Sequence, residues 1–376
     1  MLGLYLHVPF CIKKCNYCDF NSYSINGEDK DKYLESIVKE MNLYRSDFKD
    51  KVFTSVFIGG GTPTILKEDE LEYLFNNIYS NFNIHSDAEI SIEANPGTLT
   101  KSKLKTLYNI GVNRLSIGLQ AYQQSHLDKL GRIHTFEEFA KNYEDAKNIG
   151  FNNINIDLMY ALPNQTIDDW KETLQKVVML NPTHISAYSL IIEEGTKFYE
   201  LYERKELNPT DEELDIKMYR YSIKYLKEYG YNQYEISNYS KKGYECNHNI
   251  IYWKCEEYLG LGPGASGYID GVRYSNVEAL NEYFGHIDSE NKPICDKNIL
   301  EVKDKIEEKI FMGLRMNEGI YFNDFAKEFN INFKEKYKGI MEKLRNNNLI
   351  DYDDKIMYLT QKGIEVSNSV FIEFLD

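Results

Sequence analysis

Six short apolar runs separated by amphipathic stretches limit what the first 240 residues can fold into. The runs cover residues 4–8, 55–58, 89–94, 114–118, 153–159 and 184–190. They are rich in Ile, Val and Leu, as strands buried on both faces must be. Between them Tyr33, Ile37, Met41 and Tyr44 recur at helical spacing, and Leu71, Leu74, Ile78 and then Leu104, Leu107 mark two further helices. Strand–helix alternation implies right-handed crossovers and a parallel sheet. The fold class is therefore read as α/β, with six units that close only part of a barrel, a partial (β/α)6 TIM-like architecture over residues 1–204.

Residues 205–300 break the alternation. A helix is expected around 212–229, then Tyr234-Glu-Ile-Ser, a polar aromatic stretch and the Gly-rich run Gly260-Leu-Gly-Pro-Gly-Ala-Ser-Gly267. Residues 301–376 read as a separate module. Helices are expected near 303–312, 322–329 and 334–345, then a hairpin turning at Asp353-Asp354-Lys355, then a helix over 362–374. Helices plus a hairpin suggest a winged helix. That module counts 12 Lys/Arg against 15 Asp/Glu, and the whole chain carries a net charge of −15. A nucleic-acid partner needs a basic footprint, so none is expected, and the module is read as a packing or protein-contact unit.

Three of the six cysteines are clustered in Tyr5-Leu-His-Val-Pro-Phe-Cys11-Ile-Lys-Lys-Cys15-Asn-Tyr17-Cys18, followed by Asp19-Phe20. The spacing supplies three thiolates and no fourth. A structural zinc site closes with four ligands, and an ordinary [4Fe–4S] cluster takes four cysteines. Three thiolates on one tight loop leave one iron of a cubane open to a small molecule. Such thiolates need a reducing compartment. No apolar h-region precedes Tyr5, and no run approaches the roughly 18 apolar residues of a membrane span. A soluble, cytoplasmic protein is expected.

The remaining candidates sit at or beyond the C-terminal ends of expected strands, where parallel α/β barrels place their sites. They are Gly59-Gly60-Gly61-Thr62-Pro-Thr64, Glu93 in Ile92-Glu-Ala-Asn-Pro96, Gln120 in Ser116-Ile-Gly-Leu-Gln, Arg132 in Leu130-Gly-Arg-Ile-His134, and Asp157 in Asn155-Ile-Asp. One further motif, Cys246-Asn-His248-Asn249-Ile-Ile-Tyr252-Trp253, carries a potential iron ligand beside flat aromatic faces. The competing reading of His248 is a histidine that satisfies core hydrogen bonds. Cys255 and Cys295 read as packing, and His7 as facing the barrel.

The cysteine spacing, with Tyr17 before the last Cys and the GGGTP-type segment behind it, resembles the radical S-adenosylmethionine (SAM) superfamily. The His-Asn-x-x-Tyr-Trp motif resembles the HemW-type haem chaperones, relatives of the oxygen-independent coproporphyrinogen III dehydrogenase HemN. The resemblance implies a radical SAM barrel with cluster ligands Cys11, Cys15 and Cys18, whose open iron chelates SAM. It implies that Gly60, Gly61, Thr62 and Glu93 hold the methionyl amino group and Arg132 its carboxylate. Gln120 and Asp157 would hold the ribose, with Tyr5 and Tyr17 beside the sulfonium and adenine. It implies haem as cargo, contacted by Cys246, His248, Asn249, Tyr252 and Trp253. The implied partners are a haem-accepting protein, including membrane-associated respiratory enzymes, and a reductant such as flavodoxin or ferredoxin. Two departures separate the chain from HemN. Phe20 stands where HemN carries a further Cys, and the expected first strand lies close to residue 1. Both weigh against the alternative, a radical SAM oxidative decarboxylase of coproporphyrinogen III. A third reading is a regulatory protein with the cluster as redox sensor.

Overall fold

The computed structural model describes residues 1–25 and 27–375. Six strands form where the alternation puts them: β1 (Leu2–Val8), β2 (Val52–Gly60), β3 (Asn83–Ala94), β4 (Arg114–Gln120), β5 (Asn153–Tyr160) and β6 (His184–Ser189). They lie side by side in chain order, all parallel. The largest difference in bounds is at β3. It begins at Asn83 because Asn83 and Ile84 already pair with Val52 and Phe53 of β2.

Between the strands run α1 (Gly27–Tyr44), α2 (Glu68–Asn81), α3 (Lys101–Asn109), α4 (Gln124–Leu130), α5 (Phe136–Ile149) and α6 (Ile167–Leu180). Two of these helices open with capping boxes, Thr135 with Glu138 and Thr166 with Asp169. On each strand one parity is apolar. Leu4, Leu6, Ile58, Ile92, Ile117 and Ile156 share one buried cluster with Ile37, Met41, Leu74, Leu107 and Trp170 of the helices. The other parity faces inward and is polar. Buried Ser55, Glu89, Ser91, Arg114, Ser116, Asn155 and His184 belong to it. Polar groups this deep must be paired, so the barrel interior is a hydrogen-bonded lining that can host polar ligands.

The sheet extends beyond six strands. After α7 (Lys197–Glu203) and α8 (Glu212–Glu228), β7 (Asn232–Glu235) and β8 (Asn238–Ser240) form a hairpin against β6. Past α9 (Asn247–Trp253), β9 (Glu257–Leu261) pairs parallel with β1, in register Tyr5↔Gly260. Then β10 (Ser266–Ile269), β11 (Val272–Asn276) and, after α10 (Leu280–Asp288), β12 (Ile294–Ile299) continue antiparallel. The order is β12-β11-β10-β9-β1-β2-β3-β4-β5-β6-β8-β7. The Gly-rich run thus begins inside a seventh parallel strand. Glu40 of α1 holds it there. The buried carboxylate accepts from the Gly262 N–H at 2.8 Å, Asn276 Nδ2 at 2.9 Å and Tyr283 Oη at 2.7 Å. Burial pushes it up to about 7, against those three hydrogen bonds.

The C-terminal module has its own core around Ile310, Leu314, Phe325, Met341, Met357 and Val370. Its order is α11 (Val302–Arg315), β13 (Ile320–Tyr321), α12 (Phe322–Phe329), α13 (Phe333–Lys336), α14 (Lys338–Asn346), β14 (Ile350–Tyr352), β15 (Ile356–Leu359), α15 (Gln361–Glu365) and α16 (Ser367–Ile372). The hairpin is joined by β13 into a three-stranded sheet, as in a winged helix. The single expected final helix is two, broken at Val366, whose φ of −123° leaves the helical range. Bidentate pairs Arg220–Glu365 and Arg273–Glu308 fasten the module to the barrel.

Glu40→Ala should strand three buried donors and cost about 3 kcal/mol of stability, since an unsatisfied buried donor costs roughly 1–3 kcal/mol. The urea midpoint reads this directly. An unchanged midpoint would mean that the Gly-rich segment does not depend on α1.

Candidate functional site

Beyond β1 the chain makes a two-rung parallel pair, Phe10–Cys11 with Tyr23–Ser24, which closes the cysteine loop at its base. The loop is tethered sideways as well. Asn16 donates its N–H to Leu130 O at 2.9 Å and its Nδ2 to Lys129 O at 2.7 Å, and the Phe198 N–H donates to Asn16 O. Cys11 is buried, and Cys15 and Cys18 are half-buried. Thr62 Oγ1 donates to Cys11 Sγ at 3.5 Å and Arg132 Nη1 to Cys15 Sγ at 3.6 Å. Burial pushes Cys18 up to about 11 and raises Cys11, and neighbouring thiolates add to both shifts. The thiols are therefore close enough to repel as anions, and bound iron is what would deprotonate them. Among the described residues no three His, Cys, Asp or Glu side chains surround one point as single-ion ligands. A cubane spaces its thiolates more widely, one per iron, so this donor set suits a cluster.

The glycine segment at the end of β2 passes against this loop. A Cβ on Gly60, whose φ is +108°, would lie 2.6 Å from His7 Cε1, and one on Gly61 would lie 2.5 Å from Phe10 O. Only glycine permits that approach. The Gly60 N–H donates to Glu93 Oε2 at 3.0 Å. Burial pushes Glu93 up to about 8, and Asp157 raises it further while the Gly60 hydrogen bond and Arg114 oppose the shift. A bound ammonium beside it would reverse that preference.

Arg132 joins the strand ends. Its Nη2 donates to Asn95 Oδ1 at 2.5 Å and to Gly118 O at 2.7 Å. Asn95 Nδ2 in turn donates to Thr62 Oγ1 at 2.7 Å. Asn95 was not among the expected site residues. Its signal lies in strand parity, two positions after Glu93. Gln120 ends β4 at a bulge, with φ of +67°. Asp157 is held by Ser116 Oγ on one oxygen and Asn155 Nδ2 on the other, both at 2.8 Å. Tyr17 packs beside Leu127, Leu130 and Phe198. Two buried polar atoms in this group have no partner, Gln120 Oε1 and Arg132 Nε. Such orphans fit a small zwitterion carrying hydroxyl and carboxylate groups. The structure thus brings Cys11, Cys15, Cys18, Thr62, Glu93, Gln120, Arg132 and Asp157 to one end of the barrel.

The Cys246–Trp253 motif lies elsewhere, as α9 and its cap, against the N-terminal halves of β1 and β2. Glu89 accepts from the Asn247 and His248 N–H groups at 3.2 and 3.1 Å and from the Cys246 thiol at 3.7 Å. The Asn249 N–H also faces that thiol. His248 is buried, its Nδ1 bonded to Ser55 Oγ and its Nε2 to Tyr252 Oη, each at 2.8 Å. Its ring stacks on Phe57 at 5.1 Å. Desolvation first, then Arg114, lower it to about 3. Burial raises Cys246 to about 12. Trp253 lies under the Arg315 guanidinium at 4.6 Å. The expectation of His248 and Cys246 as haem ligands does not fit this geometry. Both are sealed inside the barrel, and both imidazole nitrogens are already bonded.

Tyr252 is different. It lines a part-open cavity of about 420 Å³ with Tyr5, Gly60, Glu93, Tyr258 and Phe20. Phe20, 58 % exposed, stands on the cysteine loop. The two motifs, distant in the chain, therefore reach one cavity. A cleft of about 560 Å³ between α1 and β10–β12 carries none of these residues.

A family profile described as the Radical SAM superfamily matches residues 5–177, and one described as the HemN C-terminal domain matches residues 300–366. Barrel, cysteine loop and profile together define a radical SAM protein. Heme chaperone HemW of Bacillus subtilis is 37 % identical over 376 residues, covering 100 % of this chain and 99 % of that protein. Heme chaperone HemW of Lactococcus lactis is 38 % identical, covering 99 % and 96 %. The chain belongs to the family of these HemW proteins. The structure of coproporphyrinogen III oxidase (HemN) from Escherichia coli, 24 % identical, superposes with a TM-score of 0.88 over 100 % of this chain and 90 % of that one. It shares the fold, the C-terminal helical domain included.

Glu93 yields a pH test. Its folded value, about 8, lies above its ordinary 4.5. The folded state then holds the proton more tightly, so its contribution is fully present below about 4.5 and is lost as pH rises through about 8. Glu93→Gln should flatten that fall in urea titrations between about pH 5 and 8.5. Parallel slopes for the two proteins would place the ionisation elsewhere.

Proposed function

We propose that the chain is a haem chaperone built on a radical SAM barrel. The observation that carries the reading is the single cavity reached by both the cysteine loop and the Cys246–Trp253 segment, in a chain that matches HemW proteins over its full length. Cys11, Cys15 and Cys18 hold a [4Fe–4S] cluster, which when bound supplies one-electron reducing power and an open coordination position. Glu93 and Thr62, with the backbone at Gly60 and Gly61, receive the amino group of SAM. Arg132 receives its carboxylate, a task suited to a guanidinium already braced by Asn95 and Gly118. Gln120 and Asp157 hold the ribose hydroxyls, and Tyr5 and Tyr17 flank the sulfonium and adenine. Ser116 and Asn155 hold the Asp157 carboxylate in place for that contact.

Haem is cargo, received at the cavity and handed to a haem-accepting protein such as a membrane-associated respiratory enzyme. The cluster draws electrons from a flavodoxin or ferredoxin. The proposed location is the cytoplasm. Among the described residues no helix is long and apolar enough to cross a membrane. The working division is a barrel over 1–204, an extension with the haem motif over 205–300, and a protein-contact module over 301–376.

Anaerobically reconstituted protein should show broad visible absorption that bleaches on reduction, lost in Cys15→Ala. It should bind haem stoichiometrically and form no protoporphyrinogen from coproporphyrinogen III with SAM and reductant, because Phe20 offers no thiol. Robust decarboxylation would replace this reading with the enzymatic one.

A further inference from the structure

The haem motif poses a question that its sequence does not answer: which of its side chains can reach iron. The inference here rests on the haem-chaperone reading above. Among Cys246, His248, Asn249, Tyr252 and Trp253, Tyr252 alone lines the cavity. Cys246 is buried on Glu89, and Trp253 is covered by Arg315. His248 is buried with both nitrogens bonded. We propose that the Tyr252 phenol oxygen is the protein's ligand to ferric haem, and that His248 is the positioning residue behind it.

The local geometry supports this assignment. The Tyr252 ring is set edge-on to Tyr258 at 4.5 Å and 71°, which fixes its plane. Its Oη is 2.8 Å from His248 Nε2. Burial keeps the imidazole neutral, so one nitrogen donates and the other accepts. Ser55 Oγ can accept from Nδ1, which leaves Nε2 to accept the phenolic hydrogen. The phenol then has oxygen lone pairs free for a metal. Carboxylates and imidazoles that brace a metal ligand from behind have the same function. Tyrosine is an established type of ligand to ferric haem. On binding, the Oη–H bond breaks, an iron–oxygen bond forms and the proton leaves to solvent through the open side of the cavity, with no electron transferred. Burial first, then the neighbouring Tyr258, Tyr5, Cys246 and Glu93, keep the Tyr252 phenol protonated. A ferric ion reverses that preference. The cavity is open on one side, so a macrocycle wider than 420 Å³ allows can leave its outer edge in solvent. Phe20 gives that edge an exposed apolar face.

Tyr5 forms a second pair on the same cavity, its Oη 2.9 Å from His7 Nδ1. It lies beside Gly60 and Glu93, on the SAM side, and serves as the control.

The experiment is ferric haem titration of the full-length reconstituted protein, read by resonance Raman and EPR. Wild type should show high-spin ferric haem with enhanced phenolate vibrations. Tyr252→Phe keeps the ring against Tyr258, so cluster iron content should be unchanged. It should lose the phenolate modes and bind ferric haem at least about tenfold more weakly. Tyr5→Phe should retain the modes. His248→Gln, which keeps an acceptor, should retain them too, whereas His248→Leu should shift them. Phenolate modes that persist in Tyr252→Phe would overturn the assignment, as would a low-spin imidazole spectrum lost in His248→Gln. In either case haem uptake itself leaves the chaperone reading standing. A wild-type protein that takes up no haem overturns both.

Discussion

The Arg132 guanidinium holds together parts of the chain that would otherwise have no common reference. It donates to a thiol of the cysteine loop, to the side chain that follows β3 and to a backbone carbonyl of β4. A buried cation is costly unless it is hydrogen-bonded, so these contacts serve the fold as well as the site. The cysteine loop is thus contacted by the same group proposed to receive the cofactor's carboxylate.

The rest of the interior follows the same rule of pairing. Glu89 is buried but capped by the N-terminus of α9, and Arg114 lies within reach of Glu89, Asp157 and Tyr234. His184 spans Asn155 and Tyr234. One continuous polar seam thus runs from the plug at one end of the barrel to the site at the other. Polar groups in a low dielectric polarise one another, so a charge placed at the site is felt along the seam. Phe20 and Tyr252 both line the cavity at that end.

Much of this was legible beforehand, and the failures have physical causes. The six parallel strands announce themselves because their helix-facing parity is mostly Ile, Val and Leu. Each strand end then nominates its own site residue, as with Glu93 and Asp157. β9 was hidden because Gly260 weakens strand propensity, and Glu40, far away in the chain, holds the Gly262 N–H just beyond it. Asn95, just before Pro96, resembles a turn residue, and its part in bracing Arg132 exists only once β3 and β4 are adjacent. The burial of His248 could not be read locally either. It depends on Ser55, a partner separated by 193 residues. A motif states which side chains are present, whereas the surrounding strands decide which of them faces a ligand.

The pairing of β1 with both β2 and β9 has a consequence for how the molecule is made. β2 emerges soon after β1, but β9, the other neighbour of β1, lies about 250 residues later. Contacts of such long sequence separation form late, because loop-closure entropy must be met first. While the ribosome is still translating, one edge of β1 stays unpaired and the cysteine loop beyond it stands beside an unfinished wall. Metal delivered at that stage would meet thiols without their final neighbours. Insertion of the proposed cluster is therefore expected only after residues 257–261 have emerged and paired with β1, which makes the last third of the sequence a checkpoint for chemistry encoded in the first twenty residues.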